Sequence, residues 1–121
     1  MRPLIAVTMV GKKTTVEEFQ HTVLRPILKM RNDELFNCYK EYLRKKDKEF
    51  EQLSDAGKQK RIFEHLKTKV KLFDVLNQYV LDELSLEEAK VYESHKRELN
   101  KRLKEMMGQR LGSNLSKLDR N

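Results

Sequence analysis

The stretch IFEHLKTKVKLFDVLNQYVLDEL, residues 62–84, decides the fold. Ile62, Leu66, Val70, Phe73, Val80 and Leu84 recur in it at helical spacing, one apolar stripe on a period of 3.6 rather than the alternation of a strand. Leu72, Leu76, Tyr79 and Leu81 make its second half apolar on further sides. That half therefore lies under another element or against a second copy of the chain.

Working outward, the same periodicity predicts helices on both flanks. Leu28, Leu35, Tyr39 and Tyr42, with Phe36, Leu43 and Phe50 alongside, predict a helix over about 26–50. Ala89, Tyr92, Leu99, Leu103 and Met106 predict another over about 86–111, with Gly108 in its last turn and Gly112 closing it. Ser54 and Asp55 supply a start for the central helix, expected over about 55–83. Ser85 with Glu88 forms a capping box, in which the Ser hydroxyl and the Glu carboxylate each satisfy a free backbone N–H. Thr15 with Glu18 repeats that pattern and predicts a short helix at 15–24. Pro26, lacking an N–H and clashing with a preceding turn, is expected to open the next helix.

These elements predict an all-α fold, an antiparallel bundle of three long helices plus a short N-terminal helix. Residues 15–111 form the domain, residues 1–14 an N-terminal tail and residues 112–121 a C-terminal tail. The short helix is expected beside the start of 26–50 and the end of 55–83. Composition agrees: 38% apolar and 37% charged residues, with four Gly and two Pro, suit solvated helices and few tight turns.

The net charge of +7 is unevenly spread. Residues 58–71 carry +5 and residues 94–110 carry +4, whereas residues 72–93 carry −5 and residues 15–37 carry −1. In a simple antiparallel bundle the basic stretches share one end and the acidic ones the other. Acids at helix starts and bases at helix ends explain part of this. They do not explain Lys58, Lys60 and Arg61 at the start of a helix. A solvated lysine-rich face is one account, and a surface for an anionic partner is another. Lys58, Arg61, Lys69, Arg97, Lys101 and Arg102 are the contacts expected for such a partner, an anionic protein or nucleic acid. Reversing Arg61 and Lys101 together to Glu is then expected to abolish binding and spare helicity. The lysines are read as lacking interleaved aromatic rings, which argues against a stacking platform for single strands.

Little in the chain points to catalysis, and an enzyme is the lesser expectation. Cys38 is the single cysteine, which excludes an internal disulfide and makes a reducing cytoplasm the expected location. Glu18 and His21 form one E-x-x-H pair where di-iron bundles use two pairs and two further carboxylates. His65 and His95 are read as edge or boundary residues, and no metal, cofactor or catalytic residue is assigned. Leu4–Val10 is too short to span a bilayer and lacks a cleavage site after it, so neither a membrane anchor nor export is expected. Asn77 and Asn100, within or beside apolar stripes, are expected to fix packing register through buried hydrogen bonds. A homodimer is the other partner the apolar faces raise.

Phe19-Gln20, Leu24-Arg25-Pro26-Ile27-Leu28-Lys29 and Asn32 resemble a group of small bacterial all-helical proteins. Ser85, Glu87-Glu88, Tyr92, Leu99-Asn100-Lys101-Arg102 and Arg110-Leu111 continue the likeness. Members of that group have no assigned activity, and some bear an automatic "glyoxalase" label. Glyoxalase I-type enzymes set His and Glu ligands on strands, for which this chain has no counterpart. The resemblance therefore implies a small intact domain and transfers no catalytic residue.

Overall fold

Pro26 does not start a new helix. In the computed structural model, which describes residues 15–119, α1 (Thr15–Phe19) runs through a π turn (Gln20–Leu24) straight into α2 (Arg25–Met30). The Arg25 N–H bonds the Gln20 carbonyl, and Leu24 and Arg25 keep right-handed helical dihedrals. Shifting the bond to a five-residue span widens the turn where the Pro26 ring would strike the carbonyl four residues back. The segment stays helical and buries Phe19, Val23, Leu24, Ile27 and Leu28 on one side.

Every other element of the described residues is helical too: α3 (Asn32–Lys46), α4 (Asp55–Thr68), α5 (Val70–Leu81), α6 (Leu86–Ser94) and α7 (Lys96–Gly112). Short 3-10 turns occupy Phe50–Gln52 and Leu115–Leu118. Ser54 caps α4 by accepting the Gly57 N–H, and Ser85 with Glu88 closes the capping box of α6 as the spacing predicts. Thr15, read as a cap, is itself part of α1.

The helices expected over 55–83 and 86–111 are each interrupted once, and that expected over 26–50 is interrupted once and ends early, at Lys46, leaving Phe50 on a 3-10 turn. The breaks fall at Arg31 (φ −96°, ψ 17°), Lys69 (φ −98°, ψ 87°) and His95 (φ −128°, ψ 29°). At Arg31 the guanidinium bridges Glu34 at 2.9 Å and Glu83 at 2.5 Å, joining the start of α3 to the chain beyond α5. At Lys69 the apolar register changes. Val70, one turn past Leu66 and expected in the stripe, is 68% exposed, and burial resumes at Leu72 and Phe73.

Two antiparallel pairs result. α3 lies along α5 and α4 lies along α7. In the second pair Gln59 bonds the Gly112 carbonyl at 3.1 Å, and Phe63 packs directly on Gly108. Leu72 and Leu76 belong to the core, with Tyr79 and Leu81 half-buried against it. The N-terminal segment has a neighbour that the periodicity did not suggest. Its π turn packs on α7, where Arg102 donates to Gln20 at 2.8 Å. Arg110 donates to Asn32 at 3.0 Å, and Lys117 pairs with Asp33 at 3.7 Å. The end of α7, counted with the basic stretches, thus meets the start of α3, counted with the acidic ones. The basic stretches 58–71 and 94–110 run side by side along the α4–α7 pair. The expected tail at 1–14 lies outside the described residues.

Candidate anion-binding groove

Helical spacing on α7 puts Arg97, Asn100, Lys101 and Lys104 at i, i+3, i+4 and i+7, on one face. The antiparallel register brings Phe63 and Lys67 of α4 to the same place. Together with Glu105 these residues line a groove of about 620 Å³, within the size range of small-ligand sites. Four cations face one carboxylate there, so the local field is strongly positive. Lys104 Nζ also lies 4.9 Å from the centre of the Phe73 ring, a cation–π contact that anchors its stem.

The position of Asn100 is set from below. The buried Asn77 amide donates to the Tyr92 oxygen at 3.2 Å, and the Tyr92 hydroxyl donates to Asn100 Oδ1 at 2.5 Å. This direction leaves the Asn77 carbonyl oxygen without a partner, one of two such buried side-chain atoms among the described residues, the other being Arg31 Nε. The opposite direction would leave the Asn77 NH2 group orphaned in the core, with two donors unmet, which costs more. Asn100 therefore has its acceptor engaged and its Nδ2 donors left over at the groove. Asn77 and Asn100 do fix register, through a tyrosine that joins α5, α6 and α7.

Phe63 is held by a glycine. A Cβ on Gly108 would fall 2.3 Å from Phe63 Cε1 and 2.6 Å from Cδ1, closer than real Cβ atoms come to anything. Only the missing side chain lets the ring pack this close to α7. Phe63 falls between Arg61 and Lys67, so the expectation of lysines without an interleaved ring is corrected: one aromatic side chain lines the groove among them.

The six cations singled out from sequence are dispersed. Arg97 and Lys101 line the groove. Arg102 lies round the helix from it, paired with Glu98 at 3.0 Å in a smaller depression with Arg25, Glu105 and Gln109. Lys58 Nζ sits 5.8 Å from the Phe50 ring. Arg61 pairs with Asp47 at 2.5 Å, and Lys69 lines a separate open depression beside Arg61, His65 and Lys46. Lys67, Lys104, Asn100 and Phe63 were missed as contacts. A helical wheel of α7 would have separated Arg97, Lys101 and Lys104 from Arg102, since 102 lies off their face.

A second polar cluster lies at the α3–α4 junction. Tyr39 and His65 Nδ1 are 2.8 Å apart, and His65 Nε2 is 3.2 Å from Asp47 Oδ2. In the neutral ring Nδ1 accepts the tyrosine O–H, Nε2–H donates to the carboxylate, and all three groups are satisfied. His65 is thus no edge residue but a buried one, on the same stripe as Ile62 and Leu66. Burial holds its pKa below the usual imidazole value, Asp47 opposing, and burial drives the Tyr39 phenol far up. Burial also raises the Cys38 thiol, which disfavours the thiolate a nucleophile needs. His21 is exposed on the π turn, and among the described residues no three His, Cys, Asp or Glu side chains gather closely enough to hold a metal ion. Nor is any helix there long and apolar enough to cross a membrane.

No protein-family model, no curated protein and no solved structure matches this chain.

Proposed function

We propose that this chain is a helical interaction module that holds an anionic partner in the groove between α4 and α7. The observation that supports the reading is the convergence of Lys67, Arg97, Lys101 and Lys104 on one groove with Glu105 as its lone carboxylate. Binding rather than catalysis is favoured by the chemistry elsewhere. Both nitrogens of His65 are engaged, and the Cys38 thiol is raised. The lone cysteine and the likeness to small bacterial helical proteins fit a cytoplasmic module of this kind. The two antiparallel pairs are, in this reading, one bundle whose basic side is the functional side.

The test is fluorescence anisotropy with a labelled heparin fragment at about 50 and 200 mM salt, where a multiply charged contact weakens steeply. K67E/K101E should abolish binding with helicity intact. K29E/K48E, which removes the same charge from other surfaces, should leave most of it. Equal losses in the two variants would mean that net charge, not the groove, attracts the polyanion. Light scattering on the same samples reads self-association, and a dimer dissociated by K67E/K101E would assign the groove to a second copy instead.

A further inference from the structure

Building on the groove reading above, we infer that the anionic partner is a single-stranded nucleic acid, its phosphates along α7 and a base against Phe63. Three features of the groove choose among anions. The first is the spacing of charge. Arg97, Lys101 and Lys104 form a row about 10 Å long at 1.5 Å per residue, and Lys67 faces it from α4. Such a row suits a ligand whose negative charges repeat. A strand of nucleic acid, which carries one phosphate per nucleotide, offers such a repeat.

The second feature is Phe63. A polyphosphate has no use for an aromatic ring among its cations. A nucleobase has, because every base carries a π face, and stacking tolerates any sequence. The ring is also seated at the α4–α7 contact by Gly108, near the end of α7, whose missing side chain makes room for it although glycine weakens a helix by up to about 1 kcal/mol against alanine. The third feature is Asn100. Its amide is oriented through Tyr92 from the buried Asn77, leaving Nδ2–H donors at a groove otherwise lined by charge and one ring. A fixed amide beside a ring can address the Watson–Crick edge of a base, which a duplex hides in its pairs as it hides the π face in its stack. The combination selects unpaired strands.

The experiment uses the full chain and four labelled probes of similar length: r(A)12, the r(A)12·r(U)12 duplex, a polyphosphate of about twelve units, and an oligo-glutamate of twelve residues. The wild-type chain should bind r(A)12 at least tenfold more tightly than the other three. F63L should weaken r(A)12 about tenfold and leave the polyphosphate unchanged, with F63Y retaining most of the affinity. Replacing Lys67 and Lys101 by Gln should lower the salt slope for r(A)12 by about 1.4, two contacts at about 0.7 each for a single strand. Because Phe63 also packs on Gly108, a second readout keeps the test sharp where F63L fails to fold. Ring protons of wild-type Phe63 should shift upfield in NMR spectra as r(A)12 is added, and an unmoved ring overturns the inference.

The outcomes separate cleanly. Equal binding of r(A)12, duplex and polyphosphate with F63L neutral overturns the single-strand inference and leaves an unselective polyanion groove. Tight binding of oligo-glutamate alone overturns it in favour of an acidic protein segment. Binding of none of the four overturns both the inference and the reading on which it rests.

Discussion

Replacing Gly108 by alanine should cost stability even though alanine is the better helix former. The added methyl would sit 2.3, 2.6 and 2.8 Å from Cε1, Cδ1 and Cζ of Phe63, where ordinary contact begins near 3.4 Å. The ring must therefore retreat by about an ångström, or the two helices must part. Overpacking of this degree costs about 1–3 kcal/mol. Removing a glycine from a helix returns up to about 1 kcal/mol. The net expectation is a loss of up to about 2 kcal/mol, seen as a lower urea midpoint at an unchanged slope. The decisive arm is G108A in an F63A background. With the ring gone only the propensity gain remains, so alanine at 108 should then stabilise by about 1 kcal/mol. The sign reverses, and the coupling between the two sites is about 1–3 kcal/mol. If G108A stabilises the wild-type chain, or if its cost is the same with and without Phe63, the close approach of ring and glycine is not what the glycine is for. The same variant should weaken r(A)12, since the displaced ring is the one that lines the groove.

Arg61, read from sequence as a contact for the partner, is instead expected to act on stability. R61E places a carboxylate against Asp47, itself only 9% exposed, and should cost about 2–4 kcal/mol in urea unfolding, so the R61E/K101E pair cannot report on binding alone. His65 gives a pH dependence. Its folded pKa is lowered, so the unfolded chain takes the proton first. Stability is complete above about pH 6.5 and is lost as pH falls from there toward the folded value; H65Q should remove that part of the loss between pH 7.5 and 5.5. Y92F removes the hydroxyl between Asn77 and Asn100, strands both amides and should cost about 1–3 kcal/mol by the same unfolding assay.

Helix content, the capping box at Ser85 and the start at Ser54 were legible because each is local. A short polar side chain three residues from the amide it satisfies needs no tertiary knowledge. The breaks were not legible. Arg31, Lys69 and His95 are ordinary helix residues, and what sets them apart is tertiary. Arg31 answers to Glu83 across the molecule, and the stripe that would have buried Val70 resumes instead at Leu72. Pro26 misled in the opposite direction, because the π turn is a remedy the sequence does not advertise. For the groove, the basic composition of 58–71 and 94–110 was plain, but the partition of those cations was not. Arg61 and Arg102 are spoken for by Asp47, Glu98 and Gln20, two of them far away in sequence. His65 could have been recognised as buried, since it stands three residues from Ile62 on the same stripe.

The break at Lys69 and the open groove are one feature seen twice. In the α4–α7 pair Gln59 stands at Gly112 and Phe63 at Gly108, each step of four on one helix matched by four back on the other. Continued along an unbroken helix, that register would set Lys67 by Lys104, Lys71 by Asn100 and Asp74 by Arg97. The first correspondence holds, for Lys67 and Lys104 line the same groove; neither Lys71 nor Asp74 lines it. The chain turns at Lys69 and lays α5 along α3, so at this face of α7 it is Phe73 that comes to Lys104 and Asn77 that reaches Asn100 through Tyr92. An uninterrupted helix would have closed that face and put the Asp74 carboxylate against the Arg97 guanidinium. With the break Asp74 does not line the groove, and it is the absence of that neutralising carboxylate, as much as the presence of the lysines, that makes the groove positive.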